Sequence, residues 1–305
     1  MITALAGGVG AARFLTGLTC LVKQEDLSVI VNTGDDIELF GLHISPDVDI
    51  VTYTLAGIID EQKGWGIKGD SAHCLEMLKK IGADTWLWLG DKDLATHIYR
   101  TQRLRDGATL AHITNEVCRG LGVNVKILPM TNDKFETHVR INRGSVHFEE
   151  YFVKRHAKEE VLGVEFIGAA TAKPAPGVLE AISEAERVVI CPSNPIVSIG
   201  TILSVRGIRE ALKQTDARIV AVSPIVGGQT IKGPADKMLR GMGFEVSAFG
   251  VAKLYSDFLD AIVIDVLDTA DKSRIENLGV DVKVTNTIMK SQQNKIELAK
   301  VVLDA

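Results

Sequence analysis

The sequence predicts an α/β fold: a Rossmann-like, mostly parallel sheet with helices on both faces. Short β-branched or apolar segments alternate with helix-like segments along most of the chain, which is typical of parallel strands joined by helices. The 305 residues have 46% hydrophobic content, enough for one large core. We therefore predict a single domain over residues 1–305, with a helical and hairpin subdomain inserted at approximately 50–155. The predicted core strands are Met1–Leu5, Leu27–Val31, Val164–Ile167, Val188–Cys191, Ile219–Val222, Ala261–Val266 and Val280–Val284.

The middle of the chain departs from this alternation and predicts the insertion, which we expect to arch over the strand ends. Asn142-Arg143-Gly144 is typical of the turn of a β-hairpin. The predicted hairpin arms are Glu136–Ile141 and Ser145–Phe152, and the predicted helices are Ser71–Ile81, Asp93–Leu104, Leu110–Gly120 and, near the end of the chain, Ser291–Leu303.

Composition excludes several classes of protein. The net charge of −5 argues against a nucleic-acid binder that relies on neutralising phosphates. The four cysteines are scattered without a C-x-x-C pair, so neither a disulfide framework nor a zinc knuckle is expected, and a reducing cytoplasm is the simpler setting. The N-terminus lacks the basic segment of a signal peptide, and no run is long enough to span a bilayer. We expect a soluble, cytoplasmic protein.

The first predicted strand leads directly into a glycine-rich turn and a helix, which is the pattern of a phosphate-binding loop. Gly7, Gly8 and Gly10 let the backbone approach an anion, and the N–H groups of the following helix point at it. Arg13 adds a forked donor in the first turn. The loop matches neither the dinucleotide fingerprint nor the Walker loop. A phosphate-bearing ligand is therefore predicted, and a tight turn that binds nothing is the alternative.

Acidic residues follow the second predicted strand and open the next helix. Asp35 and Asp36 lie just past the carboxyl end of that strand, where open α/β sheets bind ligands. Asp47 and Asp49 form a D-x-D pair at a probable helix start. Carboxylates beside a phosphate loop suit Mg²⁺, so we predict a metal site from Asp35, Asp36 or Asp49. Asp47 fits an N-cap better, and one of Asp35 and Asp36 could cap or face solvent.

Two further loops follow predicted core strands. Ser193 or Asn194 as N-cap, with Pro195 at the first helical position, makes a helix start that presents free N–H groups. Gly227 and Gly228 belong to a third loop, which also carries Lys232 and precedes a helix beginning near Pro234. A helix cap alone would explain the first of these loops. Three such loops together predict a pocket for a nucleotide diphosphate.

An aromatic and polar segment lies inside the predicted insertion. Trp86 and Trp88 alternate as on a strand, so that one could offer a flat face to a planar ring. Asp93 is a plausible N-cap for the helix that carries His97. A structural role for His97 is at least as well supported as catalysis, because no nucleophile or base partner is identifiable from the sequence.

These motifs, in this order, resemble the 2-phospho-L-lactate transferase family of coenzyme F420 biosynthesis. The resemblance extends from Thr3 to about Asp260. It implies transfer of the phospholactyl group from lactyl-2-diphospho-5′-guanosine to the ribityl hydroxyl of the deazaflavin Fo, with Mg²⁺ as cofactor and GMP as product. It also implies a Rossmann-like core with an inserted helical region. The motifs are A-G-G-V-G-A-A-R-F-L, N-T-G-D-D, S-P-D-V-D, L-G-D-K-D-L-A-T-H, C-P-S-N-P-I-V-S-I-G and S-P-I-V-G-G-x-x-x-K-G-P-A-D.

The resemblance also implies roles for individual residues. The guanosine diphosphate moiety would be held by the glycine loop and by the loops that carry Ser193-Asn194-Pro195 and Gly227-Gly228. Asp35, Asp36 and Asp49 would position the metal. The preferred acceptor of the hydroxyl proton is Asp49, and Asp36 is the second catalytic carboxylate. The deazaflavin would lie along Asp49 and Trp88. Asp91 is also predicted to be a ligand-binding residue.

Two other functions stay open at this stage. A related group with a similar core binds nucleotide sugars and regulates carbon metabolism without established transfer chemistry. An NAD-dependent enzyme is disfavoured by the imperfect fingerprint and by Asn32-Thr33, where an acid should end the second strand. The sequence does not distinguish lactate, enolpyruvate and glycerate as the acid that the donor carries. A homodimer is expected, without a surface pattern that supports it.

Overall fold

The computed structural model describes residues 1–305 and contains fourteen strands and twelve helices. The strands are β1 (Ile2–Ala6), β2 (Leu27–Val31), β3 (Ile37–Leu39), β4 (Leu42–Ile44), β5 (Lys126–Pro129), β6 (Glu136–Ile141), β7 (Gly144–His147), β8 (Gly163–Ile167), β9 (Arg187–Ile190), β10 (Arg218–Val222), β11 (Ile225–Val226), β12 (Gln229–Thr230), β13 (Ala261–Asp265) and β14 (Asp281–Thr285). The helices are α1 (Gly8–Leu18), α2 (Pro46–Leu55), α3 (His73–Lys80), α4 (Asp91–Arg105), α5 (Leu110–Gly120), α6 (Val178–Ser183), α7 (Ile199–Ser204), α8 (Ile208–Gln214), α9 (Ala235–Gly241), α10 (Ala248–Tyr255), α11 (Lys272–Glu276) and α12 (Gln292–Leu303).

The central sheet confirms the predicted fold class. Its seven strands run in the order β14-β13-β10-β9-β1-β2-β5, and every neighbouring pair is parallel. The chain moves outward from β1 through β2 to β5 and then returns to place β9 on the other side of β1. The strand order therefore reverses between β1 and β9, and the carboxyl ends of strands at such a reversal form the usual ligand crevice of this architecture.

The sheet is buried on both faces because its strands are apolar throughout. In β1, Leu5 packs into the hydrophobic core on one side, whereas Ala4 and Ala6 pack into the core on the other. Helices α1, α2 and α12 cover the side that Ala4 and Ala6 face. No helix combines the length and apolar content that a membrane-spanning segment needs.

Two predicted elements differ in the structure. The strand predicted at Val164–Ile167 exists as β8, but it pairs antiparallel with β6 in a small sheet of order β7-β6-β8 and is not part of the central sheet. Direct pairing with the hairpin explains the difference, because β6 offers it a free edge. Strand β5, which we did not predict, adds an edge strand to the central sheet from within the 50–155 stretch. The division into a core and an inserted subdomain remains a prediction.

The hairpin and the tryptophan segment also need correction. The second hairpin arm ends at His147, and a short π-helical turn, Glu150–Lys154, follows it. The segment with Trp86 and Trp88 is not a strand. Neither segment has a partner strand that would hold it extended over its whole predicted length.

Gly17 allows α1 and α12 to approach closely, and this contact gives a stability prediction. A Cβ on Gly17 would lie 2.3 Å from the carbonyl oxygen of Lys295 in α12. Gly17→Ala is therefore expected to lower the free energy of unfolding by about 1–3 kcal/mol, despite the better helix propensity of alanine. Gly120→Ala, at the end of α5 with no atom within 4 Å of the added Cβ, is the matched control. Chemical denaturation measures both, and equal behaviour of the two variants would contradict the prediction.

Candidate active site

The glycine loop after β1 and the loop after β9 flank the point where the strand order reverses. The Gly7 amide donates a hydrogen bond to Ser193 Oγ at 3.2 Å and so ties the two loops together. A Cβ on Gly10 would lie 2.2 Å from the Pro192 carbonyl oxygen, so only glycine allows this approach. The N-cap residue of α1, Gly7, has no side chain to cap the helix, and the first turn of α1 carries no acidic residue. The start of α1 is therefore suited to an anionic ligand.

Four buried carboxylates lie beside this loop and form what we call the acidic cluster: Asp35, Asp36, Asp47 and Glu149. Asp47 Oδ2 accepts a hydrogen bond from the Asn32 amide at 2.9 Å. A Cβ on Gly7 would lie 2.7 Å from the same oxygen, which places the cluster directly against the glycine loop.

Asp36 has an asymmetric environment. Its Oδ2 accepts a hydrogen bond from Ser45 Oγ at 2.5 Å and lies 2.9 Å from His43 Nε2. Its Oδ1 is buried without a hydrogen-bond partner, as is Asp35 Oδ1. Two unpartnered carboxylate oxygens in the same buried cluster are costly unless a cation or a ligand engages them.

Burial and mutual repulsion both raise the pKa values of Asp35, Asp47 and Glu149. Burial is the main cause of a strongly raised Asp35 pKa, and the charges of Asp47 and Glu149 add to it. Burial raises the pKa of Asp47 to about 7. Burial, with the charges of Asp47 and Asp36, raises the pKa of Glu149 to about 8. No lysine or arginine forms an ion pair with any of the four carboxylates. The one basic side chain that contacts them is His43, which lies against Asp36.

The donor set of the acidic cluster fits a hard divalent cation. Carboxylate oxygens are the ligands that Mg²⁺ prefers, and the buried oxygens without partners are where a cation would relieve the repulsion. Asp35 and Asp36, which the sequence analysis proposed as metal ligands, both belong to this set. Asp47 and Glu149 were not proposed for it.

The acidic cluster gives a prediction about pH. Because the folded-state pKa values of Asp47 and Glu149 lie above those of exposed carboxylates, the metal-free folded protein binds more protons than the unfolded chain. Its free energy of unfolding is therefore expected to fall, on the order of a few kcal/mol, as pH rises from about 5 to about 8. Added Mg²⁺ should stabilise most at the alkaline end, where Asp47 and Glu149 are more fully ionised.

Thermal melting in chelator measures this profile. The double variant Asp47→Asn/Glu149→Gln should show a flatter dependence on pH, because neither amide titrates. The prediction would be contradicted if the melting temperature of the wild type rose between about pH 5 and about pH 8, or if it changed with pH equally in the wild type and the double variant. Asp47 and Glu149 would then not cause the pH dependence of stability.

Asp49 lies outside the acidic cluster and is held by Arg100. The guanidinium of Arg100, in α4, donates to both carboxylate oxygens of Asp49, in α2, and both side chains are buried. Burial nevertheless leaves the Asp49 pKa raised, since the charge of Arg100 offsets only part of the cost. Arg100 therefore occupies one lone-pair direction on each Asp49 oxygen, and the catalytic and metal roles of Asp49 stay predictions.

The ion pair continues into a buried network. Arg100 also lies 3.3 Å from His97 Nδ1, and since a guanidinium only donates, Nδ1 accepts and the imidazole proton is on Nε2. His97 Nε2 faces Asp93 Oδ1 at 3.4 Å, and Tyr53 donates to the same oxygen at 2.8 Å. Asp49, Asp93 and His97 are close enough to hold a metal, but Arg100 already supplies the positive charge there. The network ties α4 to α2.

Two predicted helix caps are replaced in the structure. The N-cap of α2 is Ser45, and Asp47 belongs to the first helical turn. The helix α4 begins at Asp91 after Gly90, so that Asp93 is not its cap. The carboxylate of Asp70 accepts from the amides of Lys92 and Asp93 instead.

The remaining predicted binding residues fall into two groups. Arg13 is half-buried near the phosphate loop, and Trp88 is half-buried with its ring 5.3 Å from that of Trp65 and 4.0 Å from Lys63 Nζ. These side chains stay available to a ligand. Asp91 instead accepts from the amides of His73 and Cys74 and so caps α3.

Groups in the loops after β9 and β10 also form hydrogen bonds within the protein. Asn194 Oδ1 accepts from the amides of Ile196 and Val197, so it caps a turn, and the regular helix α7 starts later than Pro195. The Gly227 amide donates to the carboxylate of Asp268 at 2.9 Å, and Gly228 follows it in a left-handed conformation. The Gly227 amide is therefore engaged within the protein, and its role as a diphosphate donor stays a prediction.

Comparison with known proteins fixes the family. The model of the family "2-phospho-L-lactate transferase CofD" matches residues 2–302. The chain belongs to the CofD family. The resemblance stated from the motifs is thereby confirmed, and membership makes the protein a transferase.

Curated relatives match the chain along nearly its whole length. A phosphoenolpyruvate transferase of Kitasatospora aureofaciens is 44% identical over 99% of this chain and 96% of the relative. The 2-phospho-L-lactate transferase of Methanosarcina mazei is 41% identical over 98% of both chains. That of Methanocaldococcus jannaschii is 42% identical over 100% of this chain and 97% of the relative.

A solved structure of a UPF0052 family protein from Bacillus halodurans shares the fold. It superimposes with a TM-score of 0.68 at 19% identity and covers 99% of this chain and 98% of that one. At this identity the likeness concerns the architecture alone.

Proposed function

We propose that the protein moves the phospholactyl-type group of a lactyl-2-diphospho-5′-guanosine donor to the ribityl hydroxyl of Fo, which yields coenzyme F420-0 and releases GMP. The observation that carries the proposal is the juxtaposition of the acidic cluster and the glycine loop, with Asp47 directly against Gly7. Relatives above 40% identity carry transferase names over the whole chain, which favours this function over the non-enzymatic regulator of carbon metabolism.

The reaction is a phosphoryl transfer, so the protein mainly aligns the reacting atoms and offsets charge. The ribityl oxygen forms a bond to the outer phosphorus of the diphosphate, the bond from that phosphorus to the GMP oxygen breaks, and GMP leaves with the bonding electrons. The amides at the start of α1 and the Arg13 guanidinium face the phosphate oxygens. Mg²⁺ in the acidic cluster would neutralise charge on the diphosphate and stabilise the departing GMP phosphate.

The hydroxyl proton needs an acceptor with a free oxygen. Of the two carboxylates considered for this role, Asp36 keeps Oδ1 unpartnered, whereas Arg100 holds both oxygens of Asp49. We therefore assign the acceptor role, rather than a metal contact, to Asp36 Oδ1, with Ser45 and His43 fixing the orientation of the carboxylate through Oδ2. Asp35 Oδ1 is then the unpartnered oxygen that the cation would engage.

The test is turnover by the purified protein. Fo and Mg²⁺ are combined with the lactyl, enolpyruvyl or glyceryl donor, and GMP and the Fo product are followed by mass-resolved chromatography with and without chelator. Product that disappears with chelator supports the proposal, and the donor with the highest kcat/KM identifies the acid. If no donor gives product and Fo does not bind, while a nucleotide sugar raises the melting temperature, the regulator function replaces the transferase. The homodimer and the cytoplasmic location remain predictions.

A further inference from the structure

The acidic cluster is assembled from two separate parts of the chain. Three of its carboxylates belong to the loop after β2 and to the first turn of α2, whereas Glu149 comes from beyond the end of β7. Glu149 is buried and directly precedes the π-helical turn Glu150–Lys154. Its carboxylate therefore stays beside the other three only if the backbone after β7 keeps a defined position relative to the loop after β2.

His147, the last residue of β7, joins these two parts through both of its ring nitrogens. Nε2 lies 3.1 Å from the carbonyl oxygen of Asp36, and Nδ1 accepts a hydrogen bond from the amide of Glu149 at 3.2 Å. Because a carbonyl oxygen only accepts and an amide N–H only donates, the two partners require the neutral imidazole with its proton on Nε2. The ring of His147 thus connects the backbone of Asp36 to that of Glu149.

The neighbouring strand holds the ring of His147 in this orientation. His138 lies opposite His147 in the pairing of β6 with β7, and the two rings meet edge to face with their centroids 5.7 Å apart. His138 is itself held by Glu136, whose Oε2 lies 2.9 Å from His138 Nε2. Since its ring is already packed, the His147 imidazole loses little further freedom when it makes both hydrogen bonds.

A second contact anchors the hairpin to the same loop without His147. The amide of Thr137, in β6, donates to the carbonyl oxygen of Gly34 at 2.6 Å, and Thr137 Oγ1 lies 3.3 Å from Thr201 Oγ1. A Cβ on Gly34 would lie 2.4 Å from Thr137 Oγ1, so the two segments pack directly against each other there. Removal of the His147 imidazole should therefore leave the hairpin in place and release only the backbone that carries Glu149.

We propose that His147 is a positioning residue of the acidic cluster, which holds the Glu149 carboxylate and the proton acceptor Asp36 in the arrangement that binds the cation. The proposal deepens the proposed function and rests on it for the reaction in which Asp36 takes the proton. His147 acts through the backbone of these two residues. Loss of such an outer partner of a metal site typically weakens metal binding by about 10- to 100-fold.

Calorimetric titration of metal-free protein with Mg²⁺ at about pH 9, above the pKa values of Asp47 and Glu149, tests the proposal without substrates. It compares the wild type with His147→Ala, His147→Gln, Glu149→Gln and the double variant His147→Ala/Glu149→Gln. His147→Gln is the conservative variant, because a carboxamide offers one donor and one acceptor on a single carbon. Ser145→Ala is the matched control, since it removes a hydrogen bond from the same strand to Glu165, outside the cluster.

We expect His147→Ala to weaken Mg²⁺ binding about 10-fold, His147→Gln to recover most of the affinity and Ser145→Ala to leave it unchanged. Because His147 acts on the metal through Glu149, the double variant should bind no more than about 2-fold more weakly than Glu149→Gln alone. Three results would each overturn the proposal: an unchanged affinity in His147→Ala, equal losses in His147→Ala and His147→Gln, or a loss that adds in full to that of Glu149→Gln.

The tautomer of His147 can be measured on the unaltered protein. In isotope-labelled, metal-free protein, the ring nitrogens of His147, assigned by the absence of their NMR signals in His147→Gln, should show the proton on Nε2, and a proton on Nδ1 would refute the bridge. If affinity and tautomer follow the expectation but no donor is turned over, the proposed function fails and the positioning role stands. If donors are turned over while His147→Ala binds Mg²⁺ normally, the positioning role alone fails.

Discussion

Asp47→Asn is expected to lower kcat at least about 100-fold and, at the same time, to raise the melting temperature of the metal-free protein. Both effects have one cause. Asp47 is a buried carboxylate beside Asp36 and Glu149, and its pKa of about 7 shows that its charge is costly without a cation. The amide removes this repulsion but also removes a ligand for Mg²⁺. Steady-state kinetics and thermal melting in chelator measure the two effects on one preparation.

Asp106→Asn is the matched control, because Asp106 is an exposed aspartate at the end of α4. It should change neither kcat nor the melting temperature. If Asp47→Asn were fully active, Asp47 would not belong to the metal site. If it were inactive but also less stable than the wild type, a purely structural role for Asp47 would explain the loss, and the costly charge that we infer would be refuted.

Arg100→Met is expected to lower the free energy of unfolding by about 3–5 kcal/mol. Arg100 and Asp49 are both buried, and the variant leaves the Asp49 carboxylate without its partner in the protein interior. His97 also loses the donor to its Nδ1, so the contact between α2 and α4 weakens at two places. Urea or guanidinium denaturation at neutral pH measures the change.

Comparing the free energies of unfolding of two other variants with that of Arg100→Met tests whether burial of the Asp49–Arg100 pair causes the loss of stability. Arg103 lies on α4 like Arg100 but forms a more exposed pair with Glu116 of α5, so Arg103→Met is expected to cost about 0–1 kcal/mol. The double variant Asp49→Asn/Arg100→Met should be more stable than Arg100→Met alone, because the unpaired charge is gone. Equal costs for Arg100→Met and Arg103→Met would contradict the importance that we give to burial.

The sheet was largely predictable because its strands are short apolar segments between helical ones. Residues Leu27–Val31 form β2 with the predicted bounds. Edge strands carry a weaker signal: β5 has only four residues, one of them exposed, and nothing local shows that it pairs with β2. The direction of β8 is set by its contact with β6, which the residues of β8 alone do not reveal.

The D-x-D pair, Asp47 and Asp49, shows which part of the site could not be predicted from the sequence. Asp47 and Asp49 both lie in the first turn of α2, and two positions on a helix are about 200° apart, so they face opposite ways. Which one faces the glycine loop depends on Asn32 and Arg100, and these partners are 15 and 51 residues away in sequence. Glu149 joins the cluster from beyond the hairpin, with no local motif that marks it. The glycine loop was recognisable because strand, glycines and helix are contiguous.

Metal binding by the acidic cluster can be measured without substrates. Calorimetric titration of metal-free protein with Mg²⁺ or Mn²⁺ at about pH 9, above the pKa values of Asp47 and Glu149, compares the wild type with Asp47→Asn, Glu149→Gln and Asp49→Asn. We predict that one cation binds the wild type, that Asp47→Asn and Glu149→Gln each weaken it at least about 10-fold, and that Asp49→Asn, if folded, largely retains it. Loss of binding in Asp49→Asn with normal binding in the other two would contradict the site described here and return the metal to Asp49, one of the three residues that the sequence suggested.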